Sequence, residues 1–230
     1  MKINLNNIGI QTDGRVEGQP ETEPQTDHSY GDDTMSVGVY FKDLESALVT
    51  HLRAWPYVVG CVAWLTNIKL LSVLAERKGA SFVVQKEDFL RPDAGTRGPG
   101  LDRSQLRRAY DAIKPLYRLQ FDGLLSHMSV ACEPTCGIRC AGLGGKARLA
   151  KPRMHHKFAV FCDGDLQPRA VWTGSFNWSH NALDSIENAV YIAQPQIARA
   201  YFDEFQQVAA ISEPLDWTSE YVEPEWRIGT

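Results

Sequence analysis

The sequence predicts an α/β fold, a mixed β-sheet flanked by helices, from three observations. Residues 36–90 run strand, helix, strand, helix, strand, the order expected of an α/β sheet. YVVGCVAWLT (57–66) is apolar without alternation, as in a strand buried on both faces. Three further β-rich runs, HHKFAVFCD (155–163), AVWTGSF (170–176) and ENAVYIA (187–193), precede an amphipathic helix.

Taken in order, MKINLNNIGI alternates partly at Ile3, Leu5, Ile8 and Ile10 and reads as an edge strand or an unstructured end. Residues 11–34 are polar, acidic and rich in Gly, Pro and Thr, the composition of a flexible arm. SVGVYF (36–41) is a short strand. Asp43 to Ala54 carries Leu44, Ala47, Leu48 and Leu52 on one helical stripe. Asn67 caps the next helix, which runs through Ala75 or Arg77 with Gly79 at its C-cap. ASFVVQKE (80–87) returns as a strand, and DAGTRGPG (93–100) is a loop. Ser104 begins a helix interrupted near Pro115. GLLSHMSVAC (123–132) reads as a strand. Glu133 to Arg153 has Gly, Pro and basic residues without apolar period, so it reads as a long loop of the kind that often carries function. The strands at 155–163 and 170–176 turn at Gly164 and Asp165. Gln196 to Ala209 is a helix with Ile197, Tyr201, Phe205 and Val208 on one face. The organisation is thus an arm (1–34), one folded domain (35–212) and a tail (213–230). Trp217, Tyr221 and Trp226 punctuate that tail and are expected to pack back on the body or across a dimer, with binding of a partner as the minor reading.

The totals exclude several classes. The longest nearly continuous apolar stretch, Tyr57 to Leu65, is far short of the roughly 20 residues that span a bilayer. The first ten residues hold no apolar signal-peptide core, which places the chain in the cytoplasm without a membrane partner. Five cysteines, an odd number, argue against a disulfide framework. The net charge is −4, but its distribution is uneven. From Arg103 to Lys157 there are eleven Lys or Arg against three acids, whereas 184–225 holds nine acids and Arg199 alone. A local excess of cations suits a polyanion such as nucleic acid.

The chemistry concentrates at 154–192. A strand opening His155-x-Lys157 points both side chains to one face, because strands have period two. An imidazole beside a fixed cation suits attack on a phosphodiester. Thr173-Gly174-Ser175-Phe176-Asn177 then supplies a hydroxyl and an amide two residues apart, both able to donate to phosphate oxygens. Glu187 precedes an apolar strand, where its carboxylate could hold the second nitrogen of His155 and fix its tautomer. The basic stretch leading in, with Arg139, Lys146, Arg148, Lys151 and Arg153, is the expected substrate track. Cys132, Cys136 and Cys140 form Cys-x3-Cys-x3-Cys, which differs from the usual Cys-x2-Cys zinc spacing; a zinc site there, with His127 or Cys162 as fourth ligand, is the minor reading beside ordinary loop cysteines.

His155-x-Lys157, Gly174-Ser175-x-Asn177 and Glu187-Asn188 resemble the HKD signature of the phospholipase D superfamily. The resemblance is strongest to its small single-motif nucleases, the bacterial EDTA-resistant endonuclease group, and extends to the mitochondrial cardiolipin hydrolase group. It covers residues 155–188. One position departs: where the family pattern has Asp, this chain has Cys162, with Asp163 one residue later. Either a bulge lets Asp163 substitute in a supporting role, or the acid is lost.

The resemblance implies a phospholipase D-like fold with one motif per chain. It implies a catalytic set of His155, Lys157, Ser175, Asn177 and Glu187, supported by Gly174 and Asp163, and a phosphohistidine intermediate with no metal or other cofactor. Since the chemistry uses two such histidines, it also implies a homodimer with the site across a two-fold axis. The leading expectation is a nuclease acting on DNA or RNA. The alternatives are the same chemistry on a phospholipid headgroup, or a catalytically silent nucleic-acid-binding module. His156 falls on the face opposite His155, and His180 has no assigned role.

Overall fold

The computed structural model describes residues 4–7, 10–16, 19–23, 25–30, 36–91, 97–98, 101–129, 136–144, 152–221, 223–224 and 227–228. Near the N-terminus, β1 (Ile10–Val16) pairs antiparallel with β2 (Gln19–Glu23), where composition suggested a flexible arm. Polar bonds tie the arm down. Lys42 Nζ donates to Asn6 Oδ1 (3.1 Å) and Gln25 Oε1 (2.8 Å), and Asn6 Nδ2 donates to the Ser185 carbonyl (2.9 Å).

The chain continues through β3 (Val37–Tyr40), α1 (Leu44–Ala54), β4 (Tyr57–Val62), α2 (Ile68–Ala75) and β5 (Gly79–Gln85). The two-residue strands β6 (Arg97–Gly98) and β7 (Leu101–Asp102) lead into α3 (Arg103–Asp111). There follow β8 (Met128–Ser129), β9 (Ile138–Ala141), β10 (Lys157–Cys162), β11 (Pro168–Gly174), β12 (Ala189–Ile192), α4 (Pro195–Ala210) and β13 (Arg227–Ile228). Among the described residues, seven strands form the central mixed sheet in the order β3-β12-β11-β10-β4-β5-β9. β4, β5 and β9 run parallel, and the remaining neighbours pair antiparallel.

The sheet is covered on both faces. Val58, Val62, Phe161 and Trp172 pack with Leu48 of α1, Leu70 and Leu74 of α2, and Leu106 of α3. Val59, Cys61, Phe158 and Val160 face the other way, toward Phe202, Phe205 and Ala209 of α4. Every second residue of β4 and β10 therefore meets a different helix layer, which is why these strands read as unbroken apolar runs. A fully enclosed side chain such as Phe202 contributes roughly 1.5–3 kcal/mol by burial. Gly60 belongs at this layer crossing, since a Cβ there would lie 2.3 Å from the Phe158 carbonyl oxygen.

Asn67 caps α2 as expected, accepting from Lys69 N (2.9 Å) and Leu70 N (3.3 Å). Its amide also donates to Glu45 Oε2 (2.6 Å), joining α2 to α1. Other expectations need correction. Gly79 opens β5, and Glu76 ends α2. Asp102 rather than Ser104 starts α3, by accepting from Gln105 N (3.0 Å). Residues 124–127 form a 3₁₀ turn instead of a strand, because the buried pair Leu125 and Met128 is spaced by three. The stretch from Glu133 to Arg153 contains β9, whose four residues are all buried. Arg139 in its middle hides the apolar signal. On α4 the deep face is Ala198, Phe202, Phe205 and Ala209, with Ile197 and Tyr201 only partly covered.

The C-terminal segment straps the β5–β9 end of the sheet. Cys140 and Glu213 exchange backbone hydrogen bonds of 2.8 Å. Glu213 accepts from the fully buried Lys86 Nζ through both oxygens (3.0 and 2.9 Å), and Lys86 also donates to the Tyr221 carbonyl (2.5 Å). The Trp217 ring centroid lies 4.6 Å from the same ammonium. Trp217 thus packs on the body, whereas Tyr221 is exposed.

Candidate active site

Strand pairing gathers the predicted chemistry at one edge of the sheet. Lys157 at the start of β10 pairs with Val62 at the end of β4, and Gly174 at the end of β11 pairs with Ala189 at the start of β12. Trp64, His155, Ser175 and Glu187 all lie in the short segments that leave these strand ends. A site at the ends of central strands combines a rigid frame with accessible side chains.

His155 is exposed, with the Trp64 ring edge-on at 5.5 Å between centroids and 81° between planes. Lys157 is buried beneath it, its Nζ donating to the His155 carbonyl (2.8 Å) and lying 5.8 Å from the Trp64 centroid. Partial burial pulls the His155 imidazole below its ordinary pKa, helped by the positive charges of Lys157 and Arg153. A lowered pKa favours the neutral ring, the form that can attack phosphorus. Burial also lowers the Lys157 ammonium, and the Glu187 carboxylate opposes that fall.

Ser175 is fixed at the tip of β11. Its hydroxyl donates to Glu187 Oε2 and accepts from Asn188 N (3.0 Å), while its own N donates to the Asn188 carbonyl (3.0 Å). Gly174 is required just before it, because a Cβ there would lie 2.2 Å from the Asn188 carbonyl oxygen. Within the single chain the Glu187 carboxylate is therefore held by Ser175; among the described residues no hydrogen bond joins it to His155. Asn177 Oδ1 is buried with no hydrogen-bond partner among the described residues. Such an orphaned acceptor beside a cationic site calls for a ligand or a functional explanation.

His156 turns away from His155, meeting Glu204 of α4 (3.2 Å) and the Phe158 ring. Asp163 lies at the far end of β10, on the order of 20 Å along the strand from Lys157. It accepts from Asp165 N and Gln167 N (both 3.0 Å) and from Arg169 Nε (2.7 Å), so it organises the β10–β11 turn. The β10–β11 register shifts between Phe161 and Cys162, and the Cys162 side chain is fully buried. Asp163 thus has a structural place at a bulge, remote from the chemistry.

The basic track divides. Arg139 is a correction: it is buried and donates to Ser212 Oγ (2.8 Å) and to the Ser212 carbonyl (3.0 Å), so it serves the interior. Arg153 is exposed beside His155 and paired with Glu87 (2.6 Å). Lys146, Arg148 and Lys151 lie outside the described residues, as does Cys132. Cys136 is exposed and Cys140 buried, with burial pushing the Cys140 thiol up to about 12. Among the described residues no group of three or more His, Cys, Asp or Glu is placed to hold a metal ion.

Sequence reasoning missed Trp64 and Glu87. Trp64 Nε1 donates to Glu87 Oε1 (3.3 Å), so Arg153, Glu87, Trp64 and His155 form one contact chain. Trp64 sits inside an apolar run that reads as core throughout, and Glu87 at the end of a strand reads as a solvated charge. Neither carried a local signal.

The exposed imidazole of His155 thus lies next to a buried cation, at the same sheet edge as a hydroxyl, an amide and a carboxylate. A family model described as "Cardiolipin synthase, PLD-like domain" matches residues 135–209. An uncharacterized protein of Acanthamoeba polyphaga mimivirus is 32% identical over 197 residues, 80% of this chain and 69% of that protein. NucT from Helicobacter pylori superposes with a TM-score of 0.51 at 12% identity, covering 77% of this chain and 98% of that one. Nuc from Salmonella typhimurium, a phospholipase D family member, gives a TM-score of 0.45 at 17% identity over 77% and 96% of the respective chains. The chain carries a phospholipase D-like domain over residues 135–209, and its fold is that of NucT.

Proposed function

We propose that this protein is a nuclease that cleaves nucleic-acid phosphodiester bonds through a phosphohistidine on His155, without a metal, in a site shared by two copies of the chain. The carrying observation is the exposed His155 imidazole held over the buried Lys157, whose ammonium is anchored on the His155 carbonyl. In the first step His155 attacks phosphorus and the P–O bond to the leaving strand breaks. The partner's His155 gives that oxygen a proton, then takes one from water as the water hydrolyses the P–N bond. Lys157 and the Asn177 amide stabilise charge on the phosphoryl oxygens. Ser175 holds Glu187 ready at the site. Arg153, with Lys146, Arg148 and Lys151, supplies the phosphate track that favours a polyanion.

The test is incubation of purified protein with labelled DNA, labelled RNA and cardiolipin vesicles, each with and without excess EDTA. Nucleic-acid cleavage that survives EDTA and disappears in His155→Ala is the expected result. Cleavage lost in EDTA and restored by Mg²⁺ overturns the mechanism. Turnover of lipid alone overturns the substrate class.

A further inference from the structure

A cavity of about 510 Å³ opens beside the proposed catalytic residues, lined by Trp64, Phe89, Asn177, Ser179, His180 and Glu187, among others. Its walls differ in character from a phosphate site. Trp64 is fixed by its bond to Glu87 and by its contact with His155. Phe89 follows in the 3₁₀ turn Asp88–Leu90 just after Glu87, partly buried against the core. The cavity thus has two aromatic side chains set by one short segment. Part of its polar lining is already engaged within the fold: Ser179 Oγ accepts from Ala182 N (3.4 Å), and Ser185 Oγ donates to the Asn181 carbonyl (3.0 Å). Asn177, also in the lining, has in Oδ1 a buried acceptor without a partner among the described residues.

Aromatic walls with one orphaned acceptor, next to a phosphodiester site, match a planar heterocycle carrying N–H donors. We propose that this cavity receives an unpaired nucleobase of the substrate strand, adjacent to the scissile phosphate, so that the enzyme selects single-stranded nucleic acid. The proposal rests on the nuclease reading above. A base stacked on Trp64 and Phe89 must leave its duplex partner, and its amino or imino N–H then satisfies Asn177 Oδ1. A paired strand cannot fill the cavity without unstacking, which disfavours duplex.

The experiment compares cleavage of one 5′-labelled oligonucleotide as single strand, as duplex, and as single strands with one tetrahydrofuran abasic residue stepped along the chain. Wild-type protein and Phe89→Ala are both assayed, because Phe89 lies outside the proposed catalytic set. A single lost stacking contact should slow cleavage at the bond beside the abasic residue by about tenfold. Phe89→Ala should slow the intact strand similarly while leaving the abasic strand at its wild-type rate, and duplex should be the poorest substrate. Phe89→Leu, which keeps the apolar bulk, controls for a folding defect by retaining the wild-type rate on the abasic strand. Equal cleavage of abasic, intact and duplex substrates overturns the base pocket and leaves the nuclease reading standing. Failure to cleave any oligonucleotide overturns both.

Discussion

The indole of Trp64 meets the imidazole of His155 edge to face, and its Nε1–H is held by Glu87, itself paired with Arg153. An edge-to-face pair is worth about 0.5–1.5 kcal/mol beyond its burial, enough to bias a ring between two rotamers. The orientation of the proposed nucleophile is therefore set partly from the segment just after β5, through Glu87 and Trp64, neither of which contacts the substrate phosphate in the proposed chemistry.

Replacing that indole should change the pH profile as well as the rate. One His155 must be neutral to attack and its partner protonated to donate, so kcat/KM is bell-shaped in pH, and its acid limb reports loss of the proton from the attacking imidazole. Partial burial holds the His155 pKa below its ordinary value. In Trp64→Ala water reaches the ring, the pKa rises, and the acid limb moves to higher pH; Lys157 and Arg153 still oppose the rise. Misplacement of the ring should lower kcat by about ten- to a hundredfold. Trp64→Phe keeps an aromatic edge and should recover much of both. An unchanged acid limb in Trp64→Ala would reduce Trp64 to a packing role.

The buried pair Lys86 and Glu213 ties the C-terminal strap to β5, with both side chains almost wholly shielded from water. Removing one partner leaves an uncompensated buried charge. Glu213→Ala should cost about 3–5 kcal/mol in urea unfolding. Lys86→Met with Glu213→Leu removes both charges and should recover most of that loss. If the double variant is no more stable than Glu213→Ala, the pair is not what holds the strap.

Gly174 is sterically determined. A methyl group there would meet the Asn188 carbonyl oxygen and the Ala189 Cα at 2.2 and 2.7 Å, both backbone atoms where β12 begins. Gly174→Ala must separate the ends of β11 and β12 and so displace Ser175 and Glu187 together. The expected outcome is loss of activity of at least about a hundredfold from misplacement near 1 Å, with the thermal midpoint lowered but a folded far-ultraviolet spectrum retained. Wild-type kcat in this variant would show that the Ser175–Glu187 contact is not needed for turnover.

Much of the architecture could be read locally. Unbroken apolar runs marked β4 and β10 because both faces are covered, and Asn67 marked the start of α2 because capping is a short-range bond. The gathering of His155, Lys157, Ser175 and Glu187 followed from strand periodicity and from the motif. What escaped detection depends on distant pairing. Arg139 reads as a substrate contact until Ser212, 73 positions away, takes its guanidinium. Lys86 and Glu213, 127 positions apart, read as two solvated charges. β9 was obscured for the same reason, since a buried arginine interrupts its apolar pattern. The Glu187 carboxylate was assigned to His155, whereas the tight turn after Gly174 brings Ser175 to it first.

Binding to nucleic acid should weaken steeply with salt if Lys146, Arg148 and Lys151 join Arg153 on the phosphate track. Each neutralised phosphate should contribute about 0.7–0.9 to the slope of log K against log salt. Charge reversal at Lys146 and Arg148 should lower the slope by about 1.4–1.8 if each makes one such contact. An unchanged slope would move the track to another face. Arg139→Gln should reduce stability rather than the salt slope, since its guanidinium is engaged with Ser212.

The number of histidines per site gives the last prediction. The proposed chemistry needs one imidazole to attack and another to protonate the leaving oxygen. His155 has no side-chain acid or base joined to it by a hydrogen bond among the described residues, and His156 turns toward Glu204. The second imidazole is then supplied by the partner's His155 across a two-fold axis. In a mixed dimer of wild-type and His155→Ala chains, one of the two roles is vacant. With equal amounts and free exchange, random pairing leaves about one quarter of dimers with both histidines, so activity should fall to about a quarter of the all-wild-type value. Independent sites would leave about half. Sedimentation velocity at assay concentration provides the companion measurement. A fully active monomer would require the acid to come from within the chain, and His180, which lines the cavity beside Asn177 and Glu187, would be the first residue to replace.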